Sequence, residues 1–137
     1  MKVVCNTNVL VSGILFGGHC RSIIRLVSEG RTQGYTSAPL IHELEEVLIR
    51  PKFRLVSEQV AAILEVVRES FATVIPTEAI SVVTDDPDDD AVIEAAVAAG
   101  AEIIISGDDH LLSLGRFQNI EILSPATFIA SWESGDS

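Results

Sequence analysis

Short apolar runs alternate along the chain with stretches in which apolar residues return at helical spacing. Residues 3–5 form the first run and predict a strand that ends at Asn6-Thr7-Asn8. Gly17 and Gly18 then open a predicted helix over residues 20–28, with Ile23, Ile24 and Val27 on one side. Gly34 precedes a short predicted strand at 35–37, and Pro39 falls in the first turn of the next helix. There Leu40, Ile41, Leu44, Val47 and Leu48 recur with the period of an amphipathic helix, which Pro51 stops. Ser57 is expected to cap a helix through about residue 70 that turns Val60, Ile63, Leu64 and Val67 inward.

The second half repeats the alternation. Residues 72–75 read as a strand closed by Pro76, and an acidic turn over 85–90 leads into an alanine-rich helix ended by Gly100. Ile103-Ile104-Ile105 centres a buried strand over 102–106, with Gly107-Asp108 at its end. Residues 120–123 form the last predicted strand, Pro125 starts a closing helix to about Trp132, and 133–137 are expected to fray. Strands alternating with helices predict an α/β fold whose central parallel sheet is covered on both faces by right-handed crossovers. In such sheets the binding crevice lies outside the carboxyl ends of the strands. With 137 residues and no visible linker or repeat, a single domain over 1–137 is expected.

Charge narrows the function. Nine Lys+Arg stand against twenty Asp+Glu, a net charge of −11, which excludes a generic charge-driven nucleic-acid binder. An acidic site must recruit cations before it meets a phosphate. A hydrophobic content of 47% excludes disorder. Cys5 and Cys20 make neither a disulfide framework nor a zinc pattern. Asn6, Thr7 and Asn8 interrupt the apolar N-terminus before it reaches signal-peptide length, and no run approaches the ~20 apolar residues of a membrane span. A soluble cytoplasmic protein, with no membrane partner, is the expectation.

Four polar places fall at strand carboxyl ends or adjacent helix starts: Asn6-Thr7-Asn8, the Glu43 region, residues 85–90 and Ser106-Gly107-Asp108-Asp109. Hard oxygen ligands converging on one crevice suit Mg²⁺ or Mn²⁺ rather than zinc. Carboxylates crowded there repel by about 2–3 kcal/mol per pair at ~6 Å and an effective dielectric near 20, so a divalent cation relieves the cluster. Plainer roles compete. Asp88 or Asp89 could cap the following helix or face its dipole. Glu45 and Glu46 read as solvated, but Glu43 and Glu45 lie on opposite edges of the apolar stripe, and periodicity does not choose between them. His19, His42 and His110 show no ligand spacing and read as surface residues. Arg50, Lys52 and Arg54 form a basic patch that is either a solvated loop or a guide for an anionic ligand. Trp132 and the phenylalanines are core or lid residues by default.

Other acidic α/β sites fail on particular residues. Receiver and haloacid-phosphatase domains need a lysine at the end of a later strand, and Lys2 and Lys52 are the only lysines. No Gly-x-Gly-x-x-Gly or Gly-x-x-x-x-Gly-Lys is present, and no serine sits in a nucleophile elbow.

The pieces Val-Val-Cys-Asn-Thr-Asn-Val-Leu-Val-Ser (3–12), Ser-Ala-Pro-Leu-Ile-His-Glu-Leu (37–44), Asp-Pro-Asp-Asp-Asp-Ala-Val-Ile (86–93) and Ser-Gly-Asp-Asp-His-Leu-Leu (106–112) resemble, in order, the PIN-domain family. Within it the chain is similar to toxins of bacterial toxin–antitoxin pairs, in which an Arg-Pro-Lys-Phe segment like residues 50–53 recurs. The resemblance implies a three-layer α/β/α fold and a metal-dependent endoribonuclease using Mg²⁺ or Mn²⁺. It also implies an RNA substrate, a cognate antitoxin and a homodimer. Carried over by position, the family's acidic quartet falls on Asn6, Glu43, Asp90 and Asp108, with Asn6, Asp90 and Asp108 as metal ligands. Glu43 is chosen over Glu45 by its Glu-Leu pair, and Asp90 by the Asp-Ala-x-Ile run. Thr7 and Ser106 match supporting polar positions, and Arg50, Lys52 and Arg54 could guide RNA. One position departs: the family has aspartate where this chain has Asn6. Asparagine offers a carbonyl oxygen but neither charge nor basicity. The rival reading is therefore a catalytically silent module of the same fold that binds an antitoxin or RNA. A small-molecule phosphohydrolase is a more distant third.

Overall fold

Three consecutive buried residues in β1 (Lys2–Cys5) mark it as an interior strand, apolar on both faces. In a computed structural model, which describes residues 1–80 and 87–135, β1 lies in the middle of a six-stranded sheet. Its companions are β2 (Gln33–Ser37), β3 (Ala72–Val74), β4 (Ile103–Ile105), β5 (Arg116–Phe117) and β6 (Ile120–Leu123). The order is β3-β2-β1-β4-β6-β5, and every pairing is parallel except β5 with β6. Side chains alternate across the sheet: Val3, Cys5, Ile103 and Ile105 enter one core, and Val4 and Ile104 the other.

Helices cover both faces, as expected. The first core receives α1 (Thr7–Leu15), α2 (Gly18–Ser28), most of the apolar stripe of α3 (Ala38–Leu48), α4 (Ser57–Ser70) and α7 (Pro125–Gly135). The second receives α5 (Pro87–Ala99), α6 (Asp109–Leu114) and Leu40 of α3. The chain runs from β1 outward through β2 to β3, then returns to place β4 on the other side of β1. That reversal opens a crevice between the carboxyl ends of β1 and β4. Asn6 and Ser106 directly follow those two strands.

Helix α1 is an addition that the sequence pattern does not predict. Residues 7–15 mix Val9, Leu10, Val11, Ile14 and Leu15 with Thr7, Asn8, Ser12 and Gly13 and carry no clear period, because Val9, Leu10, Val11 and Gly13 are all buried. It meets α2 at a sharp corner, bent by 98°. Gly13 allows the close approach: a Cβ there would lie 2.6 Å from Ile24 Cδ1 and 2.8 Å from the Cys20 carbonyl carbon. Backbone cannot yield as a side-chain tip can. Gly13→Ala is therefore expected to lose about 1–2 kcal/mol, overpacking outweighing the gain in helix propensity. Urea denaturation checks this, and an unchanged midpoint would show that the corner can open.

Four smaller expectations need correction. Ser57 is the first residue of α4, not its cap; Val56 holds the cap position, and its N–H donates to Gln59 Oε1 at 2.9 Å. Asp89 lies inside the first turn of α5, past any cap, because Pro87 already opens the helix. The strand expected to reach residue 75 ends at Val74, leaving Ile75 82% exposed. The tail expected to fray from 133 is helical through Gly135, since α7 runs past Trp132. Short α6 and the β5–β6 hairpin are additions. Asp85 and Asp86 of the acidic turn, and residues 136–137, lie outside the described residues. Among the described residues, no single helix is long and apolar enough to cross a membrane.

Candidate functional site

The site is assembled from chain ends that the sheet brings together. Asn6 leaves β1 with its N–H donating to Ile105 O at 2.9 Å, so the two central strands finish side by side. Its side chain does two things. Oδ1 accepts from Thr7 N–H at 2.7 Å, capping α1, and Nδ2 donates to Ser106 Oγ at 2.9 Å. Ser106 is fully buried; its N–H donates to Leu123 O at 3.0 Å and its Oγ accepts from Asp108 N–H at 2.9 Å. One hydroxyl thus ties the end of β1 to the turn that carries Asp108. That aspartate caps α6, its Oδ1 accepting from His110 N–H at 2.8 Å and Leu111 N–H at 3.4 Å.

A second tie comes from α3. Ser37 caps that helix by accepting from Leu40 N–H at 3.4 Å, and Pro39 sits in its first turn. This sets the phase that turns Leu40, Ile41, Leu44 and Leu48 inward and leaves Glu43 half-buried while Glu45 is exposed. Thr7 Oγ1 donates to Glu43 Oε1 at 2.5 Å, joining α1 to α3 across the crevice. The placement favours Glu43 where periodicity was silent.

The remaining acid comes from α5, one residue before the expected position. Asp89, only 3% exposed, lines the crevice with Asn6, Thr7, Glu43 and Asp108. Asp90 is also buried but is not in that lining. Successive helical residues point about 100° apart, so only one of two neighbours can face a given crevice. Oxygens of Asp89 and Asp108 and a ring nitrogen of His110 lie within 4.8 Å of one another. The sequence pattern predicts His110 on the surface, and its exposure agrees. Its approach to the acids follows from α6, whose capping by Asp108 folds the second residue of the helix back toward the carboxylate. An aspartate two residues before a histidine was the available signal, legible only once a helix is recognised there.

The crevice encloses about 390 Å³, and its lining is mixed in charge. The carboxylates of Glu43, Asp89 and Asp108 share it with Arg50, Lys52, Phe16, Val47 and Phe53. Arg54, the third residue of the expected basic patch, is exposed and outside the lining, because the backbone turns left-handed there (φ 54°) after the short 3₁₀ helix Pro51–Phe53. Ser106 is likewise outside the lining and reaches the site only through its hydrogen bonds. The neighbouring thiol is inert: burial first, and Cys20 second, push Cys5 up to about 12, so no thiolate forms near neutral pH.

Known proteins agree with this architecture. The model of the PIN domain matches residues 2–110, which contain Asn6, Glu43, Asp89, Asp90, Asp108 and His110. The fold is similar to a chain of the crystal structure of VapBC2 from Rickettsia felis bound to a DNA fragment from its promoter. There the TM-score is 0.65 at 14% sequence identity, over 90% of this chain and 98% of that one. No curated protein matches by sequence. A match over most of the chain, on a sheet whose switch point carries the clustered acids, is sufficient: the chain belongs to the PIN domain family.

Proposed function

We propose that this chain is a metal-dependent endoribonuclease and the toxin component of a toxin–antitoxin pair. The observation that carries the reading is the convergence of Asp89, Asp108 and His110 within 4.8 Å at the carboxyl ends of the central strands. Two carboxylates and an imidazole form a donor set that fits a divalent ion, with Mn²⁺ above Mg²⁺ because imidazole suits transition metals. Asp89 and Asp108 would hold the ion, with His110 beside them and the carbonyl oxygen of residue 6 within the same crevice; Asp90 gives up the role first expected of it. When bound, Mg²⁺ or Mn²⁺ supplies Lewis acidity and neutralises charge at the scissile phosphate.

The chain's own groups do the rest. Glu43, held by Thr7, is placed to orient a water and accept its proton. Ser106 fixes the Asn6 amide and the Asp108 backbone together, so residues from two strands keep one geometry. Arg50 and Lys52 offer cations to a substrate phosphate on a surface that is otherwise acidic.

The silent-module reading has its own observation: both ends of the Asn6 amide are engaged in hydrogen bonds, and residue 6 brings no charge to the crevice. Cleavage of single-stranded RNA by this chain with Mn²⁺, against an EDTA control, separates the two. Metal-dependent cleavage supports the nuclease; RNA binding without cleavage supports the module. As in the VapBC2 assembly, an antitoxin is the proposed protein partner, and the net charge of −11 favours one whose contacting segment is basic. A cytoplasmic homodimer completes the proposal. Light scattering is expected to give twice the chain mass, and a monomer at high concentration would remove the homodimer from it.

A further inference from the structure

Phe16 lines the crevice yet is 72% exposed, and so forgoes the burial that normally employs an aromatic ring. Its presentation is built rather than accidental. Phe16 is the C-cap of α1, with its N–H donating to Ser12 O at 2.8 Å, and Gly17 (φ 98°) and Gly18 (φ 72°) turn the chain away behind it. Arg21 clamps the corner, donating to Gly13 O at 2.9 Å and Ile14 O at 3.1 Å. The Phe53 ring stands 6.3 Å away, tilted by 54°, and Lys52 Nζ lies 5.1 Å above Phe53. Two rings set at an angle, with Arg50 and Lys52 beside them, share one crevice with the acids.

Resting on the ribonuclease reading, we propose that Phe16, backed by Phe53, is a stacking platform for an unpaired base of the RNA strand being cleaved. Arg50 and Lys52 would pair with the phosphates on either side of that base. Stacking tolerates any sequence because every base has a flat face, but a duplex keeps both faces of its bases covered. The platform therefore selects single strands. Charge argues for nucleic acid over protein here: in a chain of net charge −11, two cations line the crevice that holds this ring. They would attract a phosphate, which the carboxylates of the same crevice alone would not.

The test is binding of a labelled single-stranded oligouridylate in Mn²⁺, with a gel control that the probe stays intact. Phe16→Ala is expected to weaken binding by about 5- to 100-fold, with unchanged urea unfolding because the ring buries little. Phe16→Trp is expected to retain binding and to show indole emission quenched by the strand, above the Trp132 background. Against a duplex probe the parent chain and Phe16→Ala should bind alike. If the parent chain binds the single strand and Phe16→Ala binds it equally, or the new indole is not quenched, the platform is overturned while the nuclease reading stands. That result would return the ring to a protein interface. If the parent chain binds no RNA, both proposals fall together.

Discussion

Asn6→Asp is expected to raise Mn²⁺-dependent RNA cleavage by about 100-fold and to lower the stability of the metal-free chain. The two effects share one cause. Among residue 6, Glu43, Asp89 and Asp108, a neutral asparagine leaves three repelling carboxylate pairs; an aspartate makes six. At about 2–3 kcal/mol per pair before screening and relaxation, the metal-free site becomes more strained. The same charge acts in the opposite direction once a dication is present, tightening its binding by about two orders of magnitude. Geometry accommodates the change. An aspartate oxygen can accept from Thr7 N–H as Asn6 Oδ1 does, and charge at a helix N-terminus is favoured. The Ser106 hydroxyl, which now accepts from Asn6 Nδ2, can rotate to donate to the second carboxylate oxygen while still accepting from Asp108 N–H. Cleavage assays on single-stranded RNA with EDTA controls, urea unfolding and a Mn²⁺ titration measure cleavage, stability and metal affinity in turn. An aspartate variant that stays inert with Mn²⁺ and Mg²⁺ on several RNAs would give the site to the silent module.

Much of this arrangement was legible before any coordinates. The Ile103-Ile104-Ile105 run and the Val3–Cys5 run announce interior strands, because a buried parallel strand is apolar on both faces. The α3 stripe announces its own helix because one face is wet. Where that contrast vanishes, sequence reading fails. Helix α1 is wrapped by its neighbours, so its apolar residues show no period, and α6 is too short to show one. Missing α6 also hid His110, since its place beside the acids depends on the cap that Asp108 provides. Missing α1 hid the corner that exposes Phe16. The difference between the expected Asp90 and the Asp89 that lines the crevice has a different origin. Three successive aspartates, 88–90, give composition no handle on phase, and helical phase alone decides which of them enters the crevice.

That difference carries the sharpest test of the proposed metal site. Asp89→Asn is expected to weaken Mn²⁺ binding by about 100-fold in isothermal titration, whereas Asp90→Asn should stay within about threefold of the parent chain. Both residues are buried on the first two turns of α5, both become neutral, and both replacements keep the side-chain volume. The chemistry removed is therefore the same, and only the direction of the side chain differs. Asp89 and Asp108 are the two carboxylates of the three-residue cluster, so losing one removes half of the anionic groups nearest the ion. Asp108→Ala should match Asp89→Asn in affinity but not in stability, because it also removes the α6 cap, at about 1 kcal/mol. Unfolding supplies a second readout of opposite sign. Without metal, Asp89→Asn relieves repulsion with Asp108 and should unfold at higher urea than the parent chain. With Mn²⁺ at a hundred times the parent's dissociation constant, the parent should gain about 2.7 kcal/mol and the variant only about 0.4, so the metal narrows the difference. A reversed result, with Asp90→Asn losing the metal and Asp89→Asn keeping it, would restore Asp90 to the ligand set. It would also mean that α5 turns by about a quarter of a revolution when the ion binds.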